Sequence, residues 1–160
     1  MLEPIRFTVL GTPVPQGSKR AFGGVLVDAN HKTLKPWRQE VAAACQEAAN
    51  GRQLLGPVGL VVQFHFARPK SHYRTGKNAH LLRADAPEFV DKKPDIDKTL
   101  RAVMDAITIA GAWRDDAQVV ATVMTKRYDD QPSLNVTIIH AESILGLYMD
   151  LDDTPTADPS

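Results

Sequence analysis

Polar and apolar residues alternate along Ile5-Arg6-Phe7-Thr8-Val9-Leu10, the pattern of a strand with one buried face. Gly11, Pro13, Pro15 and Gly17 then interrupt regular structure, and Val25-Leu26-Val27 predicts a short second strand. Pro36 suits the first position of a helix whose apolar face is Trp37, Val41, Ala44, Cys45 and Ala48 and whose end is Asn50-Gly51. Val58 to Phe66 is the longest β-rich run and predicts a central strand. After a long polar stretch, Leu100, Val103, Met104 and Ile107 repeat at i, i+3, i+4, i+7, which predicts a helix from about Asp95 to Gly111. Asp97, Arg101 and Asp105 fall on its other side, at i, i+4, i+8. Val119 to Met124 and Leu134 to Ile139, separated by the turn residues Asp129 to Ser133, predict an antiparallel hairpin. There is no internal repeat. The expected fold is a single small α/β (mixed α+β) domain over residues 1–149, with a mixed sheet packed by two main helices. The acidic, proline-containing tail at 150–160 is expected to be disordered.

Length and composition narrow the class. A chain of 160 residues fits one core, and 43% hydrophobic with 24% charged residues is ordinary for a globular protein. No apolar run reaches the roughly 18 residues that span a bilayer, and Met1-Leu2-Glu3-Pro4 has neither the basic region nor the apolar core of a secretory leader. Cys45 is the only cysteine, so an intramolecular disulfide is excluded, a small buried thiol is expected, and the cytoplasm is the natural setting. Trp37 and Trp113 are expected to fill the core.

Net charge is zero, but its distribution is uneven. Four aspartates and no basic residue fall in the last eleven positions, leaving a net charge of +4 on the rest. Between Arg68 and Arg83 lie Lys70, Arg74 and Lys77, with His72 and His80 and no acidic residue. A local excess of this kind suits a polyanion, whose condensed counterions are released on binding, although a solvated loop looks the same.

Candidate chemistry gathers elsewhere. Asp95-Ile96-Asp97 opens the second predicted helix, and Asp115-Asp116 follows its end. If that helix start and the next strand start converge, several mutually repelling carboxylates meet at one point, and a divalent cation is the usual reason to collect them. Magnesium takes oxygen ligands, often only one or two from protein, with water and substrate phosphate completing its shell. Lys98 and Arg101, within one turn, would supply positive charge to a phosphoryl transition state. Each residue also has a plain structural role open to it: Asp95 or Asp97 as a helix cap, Asp105 as an ion-pair partner of Arg101, Asp115 and Asp116 in a polar turn. There is no histidine or cysteine spacing of a zinc site and no phosphate loop of the GxxxxGK[ST] type, so no nucleotide cofactor is expected.

The run from Lys93 through Asp95-Ile96-Asp97, Arg101 and Asp105, followed by Asp115-Asp116-Ala117-Gln118-Val119, resembles the RusA family of Holliday-junction resolvases. The stretch Gly11 to Arg20 is similar to the N-terminal region of phage-borne members, and the resemblance covers about residues 5 to 140. It implies a magnesium-dependent endonuclease that acts as a homodimer on four-way DNA junctions in recombination and repair; whether manganese can substitute is left open by the sequence. It assigns Asp95, Asp97 and Asp116 to the metal, with Asp115 as a helper. Arg101 stands where many members carry a catalytic lysine, and Lys98 where asparagine is frequent. Arginine keeps its charge and forks to two oxygens but does not readily donate a proton. Lys19, Arg20, Lys70, Arg74 and Lys77 are the candidates for gripping phosphates. The competing expectation is a non-catalytic branched-DNA-binding protein of the same fold. A D-x-D phosphatase is disfavoured because Asp91-Lys92-Lys93-Pro94 before Asp95 is no buried strand.

Overall fold

The computed structural model describes residues 3–17, 19–28 and 30–152. Its elements are β1 (Ile5–Leu10), β2 (Lys19–Phe22), β3 (Val25–Asp28), α1 (His31–Ala49), β4 (Val58–Ala67), α2 (Ile96–Ala110), β5 (Val119–Asp129), β6 (Ser133–His140) and α3 (Ala141–Asp152). Four strands form a mixed sheet in the order β1-β6-β4-β5, with β4–β5 parallel and the other two pairs antiparallel, and β2–β3 is a separate antiparallel ribbon. The mixed α+β class expected from the sequence is the one observed.

The predicted β5–β6 hairpin does not form, because β4 lies between the two strands. Burial explains the order. Val58, Leu60, Val62 and Phe64 of β4 are all but inaccessible, whereas no residue of β5 is fully buried. The most apolar strand takes a central place, and a short connection does not by itself make its flanking strands neighbours. A parallel pair needs a crossover, and α2 lies in the segment that joins β4 to β5.

Helix α1 begins five residues before the expected Pro36, which sits inside it. The Asn30 carbonyl accepts from the amides of Thr33 and Leu34 at 3.1 and 3.0 Å, and buried Leu34 and Trp37 anchor this first stretch to the core. The expected stripe on α2 is present: Leu100, Val103 and Ile107 are buried, with Met104 partly so. Gly111, at φ 77°, closes the helix with amide bonds to the Ile107 and Thr108 carbonyls. Both tryptophans are core residues, and Trp113 Nε1–H donates to Thr108 Oγ1 at 2.7 Å. Cys45 is buried, which pushes its thiol up to about 12 and leaves it unreactive.

Helix α3 was not foreseen. It carries the chain to residue 152, and residues 153–160 of the expected tail lie outside the described residues. It packs against β4 at Gly59, where an added Cβ would stand 2.2 Å from Ile144 Cδ1. Gly59→Val is therefore expected to destabilise the domain by about 1–3 kcal/mol through overpacking. Thermal denaturation of Gly59→Val alone and with Ile144→Ala checks this: the double variant should recover part of the loss, and additive losses would show that the two positions do not meet.

Candidate active site

One end of the sheet gathers three segments. β4 and β5 are parallel, β6 opposes β4, and β1 opposes β6, so β1, β4 and β5 all finish at the same end. The Gly11–Gly17 segment leaves β1 there, the basic excursion leaves β4 there, and α2 begins there, tied to β5 by Lys126. The Lys126 ammonium donates to the carbonyls of Lys92 and Pro94 at 2.7 and 2.8 Å, and Val90 N–H bonds the Lys126 carbonyl. Lys126 carried no signal in the sequence beyond its place in a strand.

Asp95 occupies the N-cap position of α2, yet its carboxylate makes no capping bond. The carbonyl of Asp95 instead receives the Thr99 amide and hydroxyl, and its carboxylate lies 3.5 Å from Lys98 Nζ. The capping role is thus left unused by the side chain. Asp97 is exposed in the first turn, and Arg101 is exposed one turn further. Neither side chain has a hydrogen bond or ion pair among the described residues. Asp105 does not pair with Arg101; its partner is Arg38 of α1, at 2.9 Å.

The loop after β1 forms a wall of this site. Gln16 N–H donates to the Lys98 carbonyl at 3.0 Å, and Asn30 Nδ2 donates to the Pro15 carbonyl. Pro15, Gln16 and Gly17 line a cleft of about 350 Å³ together with Lys93, Pro94, Asp95 and Lys98. Gln16 Oε1 is shielded from solvent and has no hydrogen-bond partner among the described residues.

Asp115 and Asp116 do not join this cluster. Because α2 crosses between parallel β4 and β5, it runs against them, so its start and the start of β5 lie at opposite ends of the sheet. The expected convergence of helix start and strand start therefore does not occur within one chain. Asp116 stands near enough to Asp105 to feel its charge, and Asp105 is about 12 Å along the helix from Asp97. Among the described residues, no three of histidine, cysteine, aspartate and glutamate are grouped closely enough to hold a metal ion.

The turn that carries Asp116 is built by its neighbours. Asp115 caps the 3-10 turn Asp116–Gln118, its Oδ1 accepting the Ala117 amide at 2.7 Å. Gln118 Oε1 accepts from the amides of Arg114 and Asp115, and its Nε2 donates to the carbonyls of Leu54 and Gly56. The Gln of the Asp-Asp-Ala-Gln-Val run is thus a clamp between this turn and the approach to β4, a role the sequence did not reveal. A hydrogen bond with Asp115 raises Asp116 above the usual carboxylate range; partial burial and the negative charges of Asp115 and Asp105 add to this, against the Ala117 amide.

The basic excursion is more ordered than a plain loop. Lys70–His72 and Gly76–Asn78 form 3-10 turns, and Tyr73 bridges Leu82. Lys70, Arg74 and Lys77 are exposed, with Arg74 Nε bonded to the Leu82 carbonyl. Lys19 and Arg20 fall on strand β2, and their side chains lie outside the described residues.

No helix of the described residues is long and apolar enough to cross a membrane. The side-chain donor that the α2 start offers to this cleft is the Asp95 carboxylate, without sulfur or imidazole beside it among the described residues. Lys93 and Lys98 line the same cleft, so within one chain the carboxylate there already has a cationic partner.

Residues 11–139 match the family model of endodeoxyribonuclease RusA. The chain is also 30% identical over 144 residues to the uncharacterized protein YqaN of Bacillus subtilis (strain 168), covering 86% of this chain and 96% of that protein. The match takes in the loop after β1, the whole of α2 and the Asp115–Asp116 turn, and this chain belongs to the RusA endodeoxyribonuclease family.

Proposed function

We propose that the protein is a magnesium-dependent, structure-selective endonuclease that resolves four-way DNA junctions by paired symmetric nicks, in recombination or repair. The observation that carries this reading is the start of α2, where the Asp95 carboxylate makes no capping bond and Asp97 and Arg101 stand exposed without a side-chain partner among the described residues. Asp95 and Asp97 would hold the ion, and manganese is expected to substitute for magnesium. One or two protein carboxylates suffice for magnesium when substrate phosphate completes the shell. Bound, the ion supplies Lewis-acid charge to the phosphodiester and activates water at neutral pH.

The chain's own residues do the rest. Lys98, at 3.5 Å, sets the orientation of the Asp95 carboxylate. The exposed guanidinium of Arg101 can fork to two phosphate oxygens and hold the charge that builds on them. Lys70, Arg74 and Lys77, on the excursion at the same end of the sheet, would contact backbone phosphates, giving shape recognition with little base readout. Asp116 enters the reading through the family rather than through proximity, with Asp115 as the residue that fixes its turn. Two copies of the chain related by a two-fold axis suit the approximate symmetry of a four-way junction. The setting proposed is a bacterial cytoplasm, in a phage or prophage recombination system.

Arg101→Ala is expected to slow cleavage by about 10²–10³, the usual effect of removing one transition-state donor, with Arg101→Lys keeping most of the rate. Single-turnover cleavage of a labelled junction reads both; equal losses would remove Arg101 from the chemistry. The reading as a whole is tested by incubating a four-way junction and a linear duplex with magnesium, manganese or EDTA. Paired, metal-dependent nicks confined to the junction are expected. The separation of Asp116 from Asp97 in one chain also suits a non-catalytic junction binder, and tight binding without cleavage in either metal would establish that instead.

A further inference from the structure

Lys126 of β5 stands where the burial pattern calls for an apolar residue. In the parallel pairing it lies opposite Phe64 of β4, which is fully buried, and Met124 and Tyr128 on the same side of β5 pack against the core. A half-buried cation on that side is costly unless its head reaches acceptors. The acceptors are the carbonyls of Lys92 and Pro94, and no carboxylate pairs with the ammonium among the described residues. We propose that Lys126 is a positioning residue for strand cleavage: it fixes the peptide from which α2 starts, so that Asp95 and Asp97 are held in place without spending their own side chains. The inference rests on the reading of the α2 start as the cleavage site and adds a residue that neither the Asp-x-Asp pattern nor the basic loop points to.

The Pro94 carbonyl belongs to the same peptide unit as the Asp95 amide, so a bond to it sets the plane from which Asp95 departs. On its other side the Asp95 carbonyl receives the Thr99 amide and hydroxyl at 3.1 and 2.8 Å. Lys126 also holds the approach to this point through its backbone, where its carbonyl accepts the Val90 amide at 3.1 Å. An N-cap side chain ordinarily anchors a helix start by accepting a first-turn amide. The Asp95 carboxylate does not, and the anchor comes from the sheet instead. Because β5 is paired with β4 along its length, that anchor belongs to a regular element, which holds reacting groups more precisely than a loop does. A displacement of about 1 Å at such groups is enough to cost about 10² in rate.

The test compares full-length wild type, Lys126→Met, which keeps the apolar stem, and Lys126→Arg, which keeps the charge and the donors. Three quantities are read: single-turnover cleavage of a labelled four-way junction at saturating protein with magnesium, junction binding in EDTA, and amide hydrogen exchange of the free protein. Lys126→Met is expected to cleave about 10–100-fold more slowly while binding the junction as wild type does, since the phosphate-gripping lysines are untouched. Exchange should quicken at the Thr99 amide and its neighbours in the first turn of α2, with β4 and β6 unchanged. Lys126→Arg should recover most of the rate. Cleavage by Lys126→Met at the wild-type rate overturns the positioning role and leaves the reading of the site standing. Faster exchange throughout the domain, or a loss that arginine does not rescue, also overturns it, since Lys126 would then be acting through stability or packing. A wild-type protein that cleaves no junction overturns the reading of the site and the role of Lys126 with it.

Discussion

Asp97→Asn is expected to abolish strand cleavage while leaving junction binding intact or slightly tighter. Asp97 is exposed in the first turn of α2 and engaged by no other side chain among the described residues. Its structural contribution is limited to the favourable placement of a negative charge at a helix start, worth about 0.3–1 kcal/mol. Its chemical contribution is much larger if it holds magnesium, since the ion supplies several kcal/mol of transition-state stabilisation. At about 1.36 kcal/mol for each factor of ten, loss of the ion lowers the rate by ~10³ or more. Binding moves the other way because a carboxylate facing phosphates repels them, and the lysines that release counterions are untouched. Cleavage of a labelled junction and a gel-shift titration at fixed salt, run on the same preparation, separate the two effects. Retained cleavage would remove Asp97 from the site. Joint loss of binding and of the thermal transition would make it a structural residue.

Trp113→Ala is expected to cost about 3–5 kcal/mol of stability, the range for truncating a buried aromatic. Its ring is 1% exposed, and its indole N–H donates to Thr108 Oγ1 where the chain turns back after α2. Against a total of about 5–15 kcal/mol for a domain, this is a large share, and a fall in melting temperature of about 10 °C or more follows for a chain of this size. Trp113→Phe keeps most of the packing and loses only the hydrogen bond, so it should fall by a small fraction of that. Circular dichroism melts of the three proteins decide it; a drop below about 2 °C in Trp113→Ala would mean the site collapses without a cavity. Because the Asp115–Asp116 turn follows directly, Trp113→Ala should also slow cleavage at temperatures where it remains folded.

Periodicity found the four strands of the sheet and both large helices because β1, α1 and α2 each bury one regular face, while β4, β5 and β6 are runs of β-branched and other apolar residues. It placed the α2 stripe correctly at Leu100, Val103 and Ile107. It misplaced the start of α1, where burial of Leu34 outweighs the preference of Pro36 for a first position. It missed β2, set among glycine and proline signals, and α3, a short helix whose place is decided by the close approach of Ile144 to Gly59. The hairpin failed because turn chemistry reports only the connection, while strand order is set by which strand has most apolar surface to cover.

The family, the mixed α+β class and the residues with chemistry to offer are all legible in the chain alone, since a run such as Asp95-Ile96-Asp97 with Asp115-Asp116-Ala117-Gln118-Val119 is specific at the level of residue types. Which of those residues share a site follows from the fold. Asp95 and Asp97 stand with the loop after β1 and the basic excursion at one end of the sheet, and Asp116 starts from the other. The reason is the crossover: a helix joining two parallel strands must run against them, so its first residue and the first residue of the next strand are held a helix length apart. No spacing along the chain encodes that separation, nor the meeting of Gln16 with Lys98 across eighty-odd residues.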